Sequence, residues 1–243
     1  MVKSTVSTPP AIGSKGQRYK RPFDITILIA AHIALLPVWI LLWTLIPLLV
    51  WLGDRGPVFF RQQRAGKDGK DFTILKFRTM IPDSASHGPA WTTEGDLRVT
   101  AVGKILRRTA LDELPGVVSI WKGDMSLVGP RALDLEEHRI LEQEIPGFAQ
   151  RLRVLPGLTG LAQIHDRKDI AQDKFKYDVE YINRMGFWLD VKLLMLSVRN
   201  TLLARWDRRV GKVANSSLQP VESRRDGMDQ EPTSPDRAGT LSS

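Results

Sequence analysis

The sequence predicts an α+β, membrane-anchored monotopic domain with an N-terminal re-entrant helix–break–helix hairpin, a short β-hairpin and several interfacial or amphipathic helices. Three observations carry that expectation. An uncharged run extends from Ile25 to Leu52 with Pro37 near its middle; two β-rich runs, Pro57–Arg64 and Asp71–Thr79, flank a glycine-containing loop; and later segments repeat apolar residues at helical spacing. A chain of 243 residues leaves room for one globular domain of roughly 150 residues plus extensions, and it is too short for a polytopic transporter.

The uncharged run is expected to enter the membrane and return. At about 1.5 Å per residue a straight helix over Ile25–Leu52 would reach ~42 Å, enough to cross a hydrocarbon core of about 30 Å. Pro37 removes a helical hydrogen bond and clashes with the preceding turn, leaving halves of about 18 and 22 Å, each too short to span. Basic residues flank both ends, Arg18, Lys20 and Arg21 before and Arg55, Arg61, Arg64 and Lys67 after, so the positive-inside rule marks neither flank as external. A proline-kinked spanning helix is the alternative. The run is too long for the apolar core of a signal peptide and lacks a small-residue cleavage pattern, so it is read as retained.

Composition narrows the remainder. The chain has no cysteine, which excludes disulfides, thiolate metal sites and thiol nucleophiles. Most of the net charge of +8 falls in residues 1–70, so a nucleic-acid-binding face on the main domain is not expected. Residues 1–17 and 207–243 contain no Phe, Trp or Tyr and are expected to be disordered tails, leaving a membrane segment over 18–54 and a main domain over 55–206. Within that domain Ala101–Arg108, Glu113–Lys122 and Leu133–Glu144 read as helices, the last stopped by Pro146-Gly147. Phe187–Trp206 carries an apolar stripe interrupted by Asp190, Lys192 and Arg199, so it is expected to lie in the membrane interface, an ordinary core helix being an equal alternative.

The chemistry concentrates in Leu111-Asp-Glu-Leu-Pro-Gly116 and Lys122-Gly-Asp-Met-Ser-Leu-Val-Gly-Pro-Arg131. Pro115 is tolerated only in a first helical turn, which places Asp112 at or beside the N-cap, with simple capping as its other role, and Glu113 in the first turn. Lys76, Arg78, Arg107, Arg108 and Arg131 flank turns marked by glycine and proline, as a diphosphate site needs. Two carboxylates adjacent in sequence cannot face each other across a glycosidic bond, but they suit one nucleophile and one metal ligand. His32 is expected to be packing within the hairpin, and His87 and His138 surface residues.

These residues resemble the small monotopic polyprenyl-phosphate phosphoglycosyl transferases, the bacterial sugar transferases, over about residues 18–206. The resemblance runs through Lys20-Arg-Pro-Phe-Asp24, the hairpin with Pro37, Gly56-Pro-Val-Phe-Phe-Arg-Gln-Gln-Arg-Ala-Gly66, Lys76-Phe-Arg-Thr-Met80, Asp96-Leu-Arg-Val-Thr100, Thr109-Ala-Leu-Asp-Glu-Leu-Pro115, Lys122 to Arg131, and Pro156-Gly-Leu-Thr-Gly-Leu-Ala-Gln163. Leu36, Ala132, Leu155 and His165-Asp166-Arg167 depart from the usual pattern.

The resemblance implies transfer of sugar-1-phosphate from a nucleotide diphospho-sugar, usually UDP-linked, to polyprenyl (undecaprenyl) phosphate, initiating a surface glycan or exopolysaccharide. It implies Asp112 as nucleophile, Glu113 as a catalytic ligand of Mg²⁺, and Lys76, Arg107 and Arg131 around the phosphates, a set to which the reading of the basic residues adds Arg78. Thr159, Gln163 and Arg167 would lie near the nucleotide sugar. The implied partners are the nucleotide-sugar donor, the polyprenyl phosphate and membrane lipid, with no nucleic acid and with a homo-oligomer left open. The implied setting is the bacterial inner membrane, with the catalytic domain on the cytoplasmic face. A membrane-bound phosphohydrolase and a catalytically silent assembly scaffold are the competing classes.

Overall fold

The computed structural model describes residues 18–84, 96–166 and 170–206. The expected tails, His87 and Arg167 lie outside the described residues. The fold is mixed and rich in helix, with two small two-stranded sheets.

Helix α1 (Lys20–Ala34) and helix α2 (Leu36–Asp54) meet at Leu35, whose φ of −111° and ψ of 22° leave the helical basin. Leu35 N–H closes α1 on Ala31 O (3.0 Å), and Trp39 N–H opens α2 on Leu35 O (2.9 Å). Pro37 therefore sits in the first turn of α2, where the missing N–H has no helical acceptor to lose. The break precedes the proline, and the two helices, 15 and 19 residues long, exceed the halves expected from a break at Pro37 itself. Among the described helices α2 alone is long and apolar enough to cross a membrane, and little of it is buried; Leu36, Ile40, Leu41, Leu48 and Leu52 are exposed. That surface is compatible with membrane anchoring. His32 stacks on Trp39 at 4.2 Å between ring centroids, the packing role expected for it.

Strands β1 (Phe59–Ala65) and β2 (Asp71–Phe77) pair antiparallel from Phe59 opposite Phe77 to Ala65 opposite Asp71. The turn between them, Lys67–Gly69, is 3₁₀ and carries Asp68 and Gly69 at φ 55° and 74°. Thr100 caps helix α3 (Ala101–Thr109) by accepting from Gly103 N–H at 2.9 Å. A 3₁₀ turn, Leu111–Gly116, leads to helix α4 (Val117–Lys122). The sequence predicts an α-helix from Glu113 onward; in the structure residues Leu111–Gly116 form the 3₁₀ turn and the α-helix begins at Val117. Asp112 and Glu113 both lie in the first turn of this 3₁₀ segment, whose N-cap position is Ala110, and Asp112 makes no capping hydrogen bond among the described residues, so the capping role left open for it is not taken up.

Strand β3 (Ser126–Val128), helix α5 (Leu135–Glu144), strand β4 (Gly157–Thr159), helix α6 (Leu161–His165), helix α7 (Ala171–Arg184) and helix α8 (Phe187–Leu202) complete the described chain. Asp134 caps α5 through Glu137 N–H at 2.8 Å. β3 and β4 are parallel, with Ser126 opposite Gly157 and Val128 opposite Thr159. Their approach requires glycine: a Cβ on Gly157 would come within 2.0 Å of Gly129 N. The main core joins Ile74, Ile120, Met125, Val128, Tyr181 and Leu193, and Leu28 of α1 belongs to it. Ile46 and Val50 of α2 pack with Phe77 and Leu106. His138 is buried against Phe148 rather than on the surface, because α5 turns that face toward the cluster of Leu141 and Ile145.

A buried polar clamp fastens α1 to this core. Lys20 Nζ donates to Val128 O (2.6 Å), Tyr181 Oη (3.0 Å) and Asp190 Oδ2 (2.7 Å), while Tyr181 and Tyr19 hydroxyls donate to Asp190 at 2.9 and 2.7 Å. Asp24 Oδ1 accepts from Ser126 Oγ and Leu127 N–H, each at 3.0 Å. Arg21 donates to the carbonyls of Ile120 and Trp121 at the C-terminal end of α4, where cations suit the helix dipole. On α8, Asp190 and Leu193 face inward while Trp188, Met195, Val198 and Leu202 are exposed.

Replacing Lys20 by methionine leaves Asp190 buried without its cation. Lys20→Met is expected to lower unfolding stability by about 3–5 kcal/mol in detergent-solubilised protein. A loss below about 1 kcal/mol in denaturant titrations would show that the tyrosine hydroxyls alone satisfy Asp190.

Candidate active site

Four segments converge on one carboxylate. β2 presents Lys76, the turn Leu111–Gly116 presents Asp112 and Glu113, and the chain leaving β3 presents Arg131. Lys76 Nζ and Arg131 Nη2 each donate to Glu113 Oε1 at 2.7 Å. The fourth segment, β1, brings up Arg64, a buried arginine that donates to Ala132 O at 2.9 Å and acts electrostatically on Lys76, Arg131 and Glu113. The backbone aims Arg131: Gly157 N–H donates to Pro130 O at 2.8 Å, and Arg131 bridges to Gly157. Arg151, itself paired with Asp178 at 2.7 Å, donates to the Arg131 carbonyl at 2.7 Å.

The turn holding the carboxylates begins abruptly. Helix α3 closes on Ala110, which adopts the left-handed conformation at φ 54° and ψ 21°. Ala110 N–H donates to Arg107 O, and Glu113 N–H to Ala110 O, each at 3.3 Å. Arg107, on α3, donates through Nε to Thr79 Oγ1 at 2.9 Å and lowers the Asp112 pKa electrostatically.

The two adjacent carboxyls are electrically unlike. Burial by itself would raise Glu113, but the Arg131 and Lys76 charges outweigh it and hold Glu113 far below the usual carboxylate range. Burial, reinforced by the Glu113 charge, pushes Asp112 up to about 6. Burial lowers Lys76, with Glu113 opposing, whereas Glu113 raises Arg131. Asp112 is half-buried and accepts no side-chain hydrogen bond among the described residues. Both hydrogen bonds received by Glu113 fall on Oε1. Among the described residues no three His, Cys, Asp or Glu side chains gather. Asp112 and the second oxygen of Glu113 are nonetheless hard oxygen donors, which fit Mg²⁺ held by one or two carboxylates with phosphate and water filling its shell.

The other predicted residues fall elsewhere. Arg78 does not reach the Glu113 cluster; its guanidinium pairs with Asp54 at the end of α2. Thr159 hydrogen-bonds Ser197 of α8. Gln163 lies on α6 with both amide atoms buried and without a hydrogen-bond partner among the described residues. Sequence reading missed Arg64 as part of the electrostatic shell. Its place directly before the hairpin turn was visible, but the cross-strand register that buries it was not.

The chain matches the family described as bacterial sugar transferases over residues 15–204. It is 40% identical over 190 residues to the UDP-N-acetylgalactosamine-undecaprenyl-phosphate N-acetylgalactosaminephosphotransferase of Aeromonas hydrophila, covering 75% of this chain and 43% of that protein. An uncharacterized sugar transferase of Bacillus subtilis (strain 168) is 39% identical over 76% of this chain and 88% of its own. The UDP-glucose:undecaprenyl-phosphate glucose-1-phosphate transferase of Escherichia coli (strain K12) is 40% identical over 63% of this chain and 34% of its own. The chain thus spans less than half of the two relatives with named substrates. The ordered motifs from the hairpin to Gln163 and the convergence of Lys76, Glu113 and Arg131 therefore have one account: the chain belongs to the bacterial sugar transferase family.

Proposed function

We propose that this protein transfers sugar-1-phosphate from a UDP-linked diphospho-sugar to undecaprenyl phosphate through a phosphosugar held covalently on Asp112. The observation that carries the reading is the division of labour within Asp112-Glu113. Glu113 is tied to two cations through one oxygen, which lowers its basicity and fixes it in place. Asp112 keeps its oxygens unencumbered, and its raised pKa makes it the more basic carboxylate of the two. The named substrates of the Aeromonas and Escherichia coli relatives support the donor and acceptor classes.

In the first step an Asp112 oxygen attacks the phosphorus that bears the sugar. The bridging P–O bond breaks, and its electron pair leaves with the nucleoside monophosphate. In the second step a phosphate oxygen of the lipid attacks the same phosphorus, and the Asp112 O–P bond breaks to restore the carboxylate. Neither step needs a proton from the protein, so the chief demand is neutralisation of phosphate charge. Lys76 and Arg131 meet it from the Glu113 side, with Arg107 and Arg64 behind them. Mg²⁺, for which the second oxygen of Glu113 is the available ligand, would draw charge from the diphosphate and the leaving nucleotide.

The same reading takes α1 and α2 as a re-entrant hairpin entering the inner membrane from the cytoplasmic side, since the polar start of α1 and the segment after α2 both join one domain. Such a hairpin holds Asp112 near the depth of a lipid phosphate while a soluble nucleotide sugar arrives from the cytoplasm. Gln163, with its unpartnered amide, is a contact for the nucleotide sugar in this scheme.

Asp112→Asn is expected to reduce lipid-dependent release of nucleoside monophosphate by about a thousandfold or more while leaving the folded state intact. Near-normal turnover in that variant would remove Asp112 as nucleophile. Excess chelator should stop turnover, and added Mg²⁺ should restore it; full activity in chelator would refute the metal. In metal-free protein Asp112 should titrate near pH 6 by carboxyl-detected NMR, and Glu113→Gln should move the midpoint down, because a neighbouring negative charge that opposes ionisation is gone. An unmoved midpoint would show that Glu113 does not tune Asp112.

A further inference from the structure

A cavity of about 140 Å³ lies where α2 ends, away from the carboxylate turn; its walls include Leu49, Asp54, Arg78, Thr100, Ala101 and Val102. Arg78 is only 9% exposed and uses Nη2 to pair with Asp54 Oδ1. Its Nε and Nη1, and Oδ2 of Asp54, are buried without a hydrogen-bond partner among the described residues. Ala101 and Val102 are the first residues of α3, so their N–H groups have no acceptor within that helix. Buried polar atoms left in this state are rare in folded proteins and point to an occupant.

We propose that this cavity binds the headgroup of a zwitterionic aminophospholipid, with the phosphodiester on Arg78 and the α3 N-terminus and the ammonium on Asp54. Charge selects the class. The walls offer one guanidinium and one carboxylate, each with unused hydrogen-bonding atoms, so a ligand carrying both signs satisfies both, whereas a simple anion would meet Asp54 as well as Arg78. Position selects the source. Leu49 lines the cavity and is also exposed on the apolar surface of α2 that includes Leu45, Leu48 and Leu52, so acyl chains leaving the headgroup continue along that surface. A lipid seated there would fix the end of α2 against the start of α3. The proposal rests on α2 lying in the membrane and is independent of the chemistry at Asp112.

The test uses the full chain in detergent, titrated with short-chain phosphatidylethanolamine, phosphatidylglycerol or inorganic phosphate and followed by thermal unfolding. Phosphatidylethanolamine should bind at least tenfold more tightly than phosphatidylglycerol, which lacks the ammonium, and inorganic phosphate should not stabilise. Arg78→Gln should abolish the stabilisation, and Asp54→Asn should reverse the preference toward phosphatidylglycerol. Gly53→Leu guards against a variant that merely unfolds: Gly53 lines the cavity, and a Cβ there meets nothing within 4 Å, so the added side chain starts in open space at the cavity wall. G53L should retain its fold and lose the phosphatidylethanolamine response. Equal affinity for the two lipids, a response to phosphate as strong as to lipid, or an unchanged response in G53L would overturn the proposal. Flotation of the chain with vesicles of phosphatidylglycerol alone reports whether α2 inserts, so failure of insertion is read separately from failure of the headgroup site.

Discussion

The ammonium of Lys20 is the point on which the architecture turns. It stands at the start of the apolar helix pair and is shared by Asp190 of α8, the Tyr181 hydroxyl of α7 and the Val128 carbonyl of β3. Desolvating an ion pair is expensive, and a hydrophobic replacement of the whole set would often be as stable. What the charged set adds is direction: each partner accepts or donates at one angle and one distance, so α1 can seat in one register only. Asp24, a turn further along, repeats the device on Ser126 and Leu127. The apolar helices are thereby oriented by polar contacts made at their roots inside the domain.

That orientation reaches the reactive turn through β3. Val128 O accepts from Lys20, and three residues later Arg131 donates to Glu113. The parallel pairing of β3 with β4, close enough that Gly157 admits no side chain, holds the intervening segment rigid. The carboxylate pair and the apolar helices are thus joined by a few residues of backbone. A shift at one end has a short physical route to the other, through packed strands and not through a loop.

Much of this was legible in the sequence because the signals were local. The uncharged run, the β-hairpin, α3, α5 and α8 are written in periodicity and in turn residues, and Asp112, Glu113, Lys76 and Arg131 stood out by charge beside glycine and proline. What failed depended on non-local contacts or on backbone detail. The chain breaks at Leu35 and not at Pro37, since a proline does no harm in a first turn. Arg78 looked like a member of the basic cluster, but it stands just past the end of β2 at Phe77, where its guanidinium pairs with Asp54 while Lys76, inside the strand, goes to Glu113. The three-residue strands β3 and β4 are too short to carry a pattern, helix α7 went unread, and the burial of His138 follows from packing by α5 and Phe148.

Ala110 leaves a lasting mark on the reactive turn. An L-residue at φ 54° is less stable than glycine there by about 1 kcal/mol, yet the chain keeps a methyl group at the hinge between α3 and Asp112. Glycine would relax the backbone and make the fold firmer while widening the range of directions the aspartate could explore. At this residue tautness and precision are bought together, so a search for tougher variants that reaches position 110 will find one that aims poorly.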